Sequence, residues 1–93
     1  MDKQKMEAAA EAILFTMGEA VEVDRIAKAI GMSTEAVRKM LREMKEKYEK
    51  EERGIRLIEL EDSFQMCTSP EQYEYLIRIA KQPKKIVLTD VVL

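Results

Sequence analysis

The chain has 93 residues with 46% apolar and 37% charged side chains and a formal net charge of -2. That is enough apolar material for one small core under a surface of mixed sign, and it argues against disorder. There is no histidine and only one cysteine, Cys67, which removes imidazole bases, Ser-His and Cys-His nucleophile pairs, intrachain disulfides and zinc clusters of thiolate or imidazole, and fits a reducing cytoplasm. The longest apolar run of the first helix candidate, Ala12-Ile13-Leu14-Phe15, is far too short to span a bilayer or to act as a signal peptide.

From Met6 to Met17 the residues Met6, Ala9, Ala10, Ile13, Leu14 and Met17 repeat at the spacing of one helical face, and Gly18 is placed to end that helix in a left-handed cap. Glu19 to Val23 reads as a short extended link. Asp24 is the expected N-cap of a second helix that packs through Ile26, Ala27, Ala29 and Ile30 and closes at Gly31. Ser33 caps a third helix, Glu35 suits the positive end of its dipole, and Val37, Met40, Leu41, Met44 and Tyr48 form its apolar stripe to about Glu52, before Gly54 breaks the pattern.

Ile55 to Glu61 and Phe64 to Thr68 lack helical period and flank Asp62-Ser63, which predicts a hairpin. Ser69-Pro70-Glu71-Gln72 opens a fourth helix with serine at the cap, proline at the first position and glutamine placed for a capping box; Tyr73, Leu76, Ile77 and Ala80 give it an apolar face. Pro83-Lys84-Lys85 reads as a linker, and Ile86 to Leu93, with Thr89 and Asp90 as caps, as the first turn of a helix belonging to a second domain. The expected division is therefore a domain over 1–82 and, over 83–93, a linker with the truncated start of another.

Three helices, a hairpin and a closing helix, with a tight turn at Gly31-Met32, predict a mostly α chain with a small β-hairpin (α+β), the winged-helix form of the helix-turn-helix class. That scaffold serves both DNA readers and protein-binding modules, so the surface decides. A DNA reader needs a basic third helix. From Ser33 to Arg53 the net charge is only +1, and extending the span to Glu61 brings it to zero. Arg38, Lys39 and Arg42 still form a local basic cluster, the candidate DNA contacts if the protein is a transcription regulator. The plainer alternative is a solvated face laced by Glu43-Lys47 and Glu46-Lys50 pairs.

Ala8, Ala12 and Phe15 form a second stripe on the first helix, and Tyr75 and Ile79 lie beside the main face of the fourth. Ala12, Phe15, Tyr75 and Ile79 are thus candidate dimer-interface residues, unless a small domain simply encloses its first helix on most sides. The methionines read as core filler. Glu51-Glu52 and Glu59-Glu61 read as solvation rather than acid and base, Gly18, Gly31 and Gly54 stand singly and make no phosphate loop, and Cys67 reads as a half-buried strand residue with no base to activate it. No catalytic residue, cofactor or metal ligand is expected.

The segments Glu11-Ala12-Ile13-Leu14-Phe15-Thr16-Met17-Gly18-Glu19, Arg25-Ile26-Ala27-Lys28-Ala29-Ile30-Gly31 and Arg53-Gly54-Ile55-Arg56-Leu57, followed by Phe64-Gln65-Met66-Cys67-Thr68, resemble the amino-terminal half of segregation and condensation protein B (ScpB) over about residues 7 to 82. Leu88 to Leu93 is similar to the opening of that family's second winged-helix domain. The resemblance implies a non-enzymatic, cytoplasmic and nucleoid-associated subunit of a bacterial condensin-like complex. Such a subunit pairs with itself and binds the kleisin ScpA, and through it the SMC ATPase, with little or no direct DNA contact. One departure is that Asp62-Ser63 lacks the wing-turn glycine common in the family, so a longer or different turn is expected.

Overall fold

The computed structural model describes residues 2–83; the expectations for the linker beyond Pro83 and for Ile86 to Leu93 fall outside them. The elements, in chain order, are α1 (Lys3–Met17), β1 (Val21–Glu22), α2 (Val23–Ile30), α3 (Thr34–Lys50), β2 (Ile55–Glu59), β3 (Ser63–Thr68), a 3-10 turn (Pro70–Gln72) and α4 (Tyr73–Lys81). This is a winged helix, with one correction: the expected hairpin is a three-stranded antiparallel sheet in the order β1-β3-β2. The stretch expected to be a plain link supplies the third strand, pairing Val21 with Phe64 and Glu22 with Ser63. Two residues carry no strand periodicity, so only the partner strand reveals them.

The helix ends follow local chemistry. Ser33 Oγ accepts the Ala36 N–H at 3.1 Å, and Gly18 (φ 66) and Gly31 (φ 86) take the left-handed caps expected of them. Asp24 is not the cap of α2. The helix begins at Val23 instead, and the Val23 N–H is satisfied at 2.9 Å by the Asp62 carbonyl at the hairpin tip. That bond also pins the tip of the wing to α2. Leu60 N–H donates to Ser63 O at 2.8 Å, leaving Glu61 and Asp62 as a two-residue connection. Neither takes positive φ, so the turn has no need of glycine.

α3 ends at Lys50, two residues short of the expected Glu52. It ends in a Schellman arrangement in which the Arg53 N–H donates to Tyr48 O and the Glu52 N–H to Glu49 O, both at 3.1 Å, with Glu52 itself at φ 52. A glutamate in the position that favours glycine is strained against its own Cβ.

The core is built from α1, α2, α3 and the sheet. Leu14, Ile26, Val37, Leu41, Leu57 and Phe64 are at most 1% exposed, and Met40, Met44 and Tyr48 complete the α3 stripe. Met6, Ile13, Ile30, Met32 and Met66 pack on its margin. Met17 and Ala29, expected inside, are exposed. The larger difference is α4. Tyr73, Leu76, Ile77 and Ala80 do not reach the core, and no residue of α4 is buried. The other elements already close over one another, and the buried Ser69 holds the root of α4 at the sheet edge: its N–H donates to Gly54 O and its Oγ to Glu71 Oε1, both at 2.8 Å.

The strained Glu52 generates a direct test. Glu52→Gly relieves the left-handed penalty of about 1 kcal/mol, and urea denaturation is expected to show a gain of that size with an unchanged slope.

Candidate protein-binding surface

Two surfaces were candidates: the basic face of α3 for DNA, and the apolar edges of α1 and α4 for protein. On the first, Arg42 lies one helical turn from Arg38, and both reach across to the wing. Arg42 forks onto Glu59, with Nη2 to Oε2 at 2.8 Å and Nε at 3.1 Å from both oxygens. Arg38 lies 3.8 Å from Glu59 Oε2 and 3.7 Å from Asp62 Oδ1. The hydrogen bonds from Arg42, with the charges of Arg42 and Arg38 behind them, hold the Glu59 carboxyl below its ordinary value. The Arg42 guanidinium is stabilised in turn. Of the basic cluster only Lys39 forms no ion pair among the described residues.

The helix face is laced differently from the expected pattern. Glu43-Lys47 and Glu46-Lys50 do not pair; Glu43 takes Lys3 of α1 at 2.7 Å, and Lys45 takes Glu49 at 3.2 Å. The cationic side chains a phosphate backbone would need are thus largely spent on the protein's own carboxylates.

On the second surface, Phe15 is 75% exposed and Ala12 lies beside it, on a wall of a groove of ≈ 400 Å³ between α1, the end of α3 and β2. Ile55 and Met66 continue the apolar lining, and Glu11 and Arg53 stand on its rims. The rims are ordered from beneath. Tyr48 donates its hydroxyl to the Glu11 carboxylate, and the Arg53 guanidinium stacks over the Tyr48 ring with its central carbon 4.4 Å from the centroid. Burial first, then the bond to Glu11, pushes the Tyr48 phenol up to about 12. Tyr75 and Ile79 of α4 are 56% and 63% exposed. The four candidate interface residues are therefore all at the surface, on two separate elements.

Sequence reasoning missed the groove itself, because Ile55 and Met66 read there as ordinary strand residues. It also missed the Tyr48-Glu11-Arg53 cluster, whose partners are 37 and 5 positions from Tyr48 and share no spacing pattern. Among the described residues no group of three or more His, Cys, Asp or Glu could hold a metal ion, and no helix is long and apolar enough to cross a membrane.

Two surface features thus stand apart: arginines of α3 paired with the wing, and an open apolar groove between α1, the end of α3 and β2. The family model of the segregation and condensation complex subunit ScpB matches residues 8–93. The chain belongs to the ScpB family. A segregation and condensation protein B from Lachnoclostridium phytofermentans is 55% identical over 93 residues, all of this chain and 49% of that protein. Another ScpB, from Agathobacter rectalis, is 58% identical over 87 residues, 92% of this chain and 46% of that protein. The chain spans about half the length of the curated relatives it matches. A crystal structure of a dimer of the ScpB N-terminal domain complexed with ScpA peptide superposes with a TM-score of 0.76 at 30% identity, covering 82% of this chain and 95% of that one. The ScpB of Mycobacterium tuberculosis shares the fold, with a TM-score of 0.81 at 20% identity over 95% of this chain and 56% of that one.

Two tests follow from these clusters. Because the folded-state pKa of Tyr48 is raised, its contribution to stability is complete below pH 10 and is lost as pH rises from 10 to about 12; Tyr48→Phe is expected to flatten that part of an alkaline denaturation profile. For the ScpB recognition helix, fluorescence anisotropy is expected to show only weak, non-specific duplex binding at about 150 mM salt. Glu59→Gln combined with Asp62→Asn, which frees Arg38 and Arg42, is expected to tighten it.

Proposed function

We propose that this chain is the amino-terminal winged-helix domain, residues 1–82, of a non-enzymatic ScpB subunit that pairs with itself and binds the kleisin ScpA. In this way it serves an SMC complex in chromosome condensation and segregation, in the cytoplasm and on the nucleoid. Dimerisation runs through Ala12 and Phe15 of α1 and Tyr75 and Ile79 of α4. The observation that carries this reading is the apolar groove lined by Ala12, Phe15, Ile55 and Met66, with Tyr75 and Ile79 exposed separately on α4, in a chain related at 30% identity to a domain solved as a dimer with ScpA peptide. Contiguous apolar surface of this kind marks protein contacts in soluble domains. The pairing of Arg38 and Arg42 with Glu59 and Asp62 weighs against the alternative of a DNA-binding regulator, since the wing would present carboxylates to the phosphate backbone.

Light scattering at tens of micromolar tests the proposal: a dimer mass is expected, and a concentration-independent monomer would refute it. Phe15→Asp places a charge where an apolar ring meets the partner, and is expected to weaken dimerisation by tenfold or more, about 1.4 kcal/mol. Since Phe15 is 75% exposed within the monomer, the helical circular dichroism should be unchanged and the monomer's stability should move by no more than about 0.5 kcal/mol. Capture of ScpA by the full-length protein, with and without the substitution, separates kleisin binding from pairing.

A further inference from the structure

We draw no further inference here: the strongest candidate, the cavity of ≈ 300 Å³ between the first turn of α1 and the amino-terminal half of α3 lined by Met6, Met32, Met40 and Lys39, is an open apolar depression, and nothing in the structure shows what covers it.

Discussion

Phe64 is wholly buried on β3, the one strand paired on both sides, with Val21 across from it on β1 and Glu59 across from it on β2. This single ring ties the sheet to the helices, and burial of a side chain of its size is worth up to about 3 kcal/mol. Its register has consequences at both neighbours. On one side it sets β1 against β3, so that the chain turns directly into α2 with the Val23 N–H on the Asp62 carbonyl. On the other it sets the carboxylate of Glu59 on the face of the sheet that meets α3, within reach of Arg42. A slip of β3 by one residue would turn Phe64 to the face opposite Glu59, taking its ring out of the core and breaking the register that joins the wing to α2.

That coupling explains the chemical character of the domain. In a winged helix the third helix and the wing are the elements that approach a nucleic acid. Here they approach each other, and the positive charge of one is answered by the negative charge of the other. Glu59 and Asp62 sit on the wing for reasons of register and turn geometry. Arg38 and Arg42 sit one turn apart on α3, so both reach the same strand end. The outcome is a scaffold of the DNA-binding class in which two of the surface arginines of α3 are paired with carboxylates of the wing.

Most of the architecture was legible in the amino-acid sequence because it depends on local chemistry. Ser33 announces a cap, Gly18 and Gly31 announce left-handed ends, and the stripe from Val37 to Tyr48 announces a buried helical face. What was hidden depends on contacts distant in sequence. β1 exists only because β3 lies beside it, and α2 begins at Val23 only because the wing tip offers a carbonyl. Glu52 could not be singled out, since glutamate carries no signal for positive φ and Gly54, two positions on, carries a false one. Of the candidate site, the exposed edges at Ala12, Phe15, Tyr75 and Ile79 were readable as apolar residues in excess of one stripe. The groove was not, because it is assembled from α1, the end of α3 and two strands.

The amphipathic pattern of α4 illustrates a limit of periodicity. Tyr73, Leu76, Ile77 and Ala80 have the spacing of a core face, and that spacing says only that a face is to be covered, not by which chain. In a domain of this size the available core is exhausted by α1, α2, α3 and the sheet, and the bonds of Ser69 direct the next helix away from it. α4 is as apolar in pattern as a core helix, yet its root at Ser69 keeps it off the core of the described residues. Among the described residues this leaves apolar surface uncovered at both α4 and Phe15, so the spacing that marks a face to be covered is read correctly while the element that covers it lies outside this core.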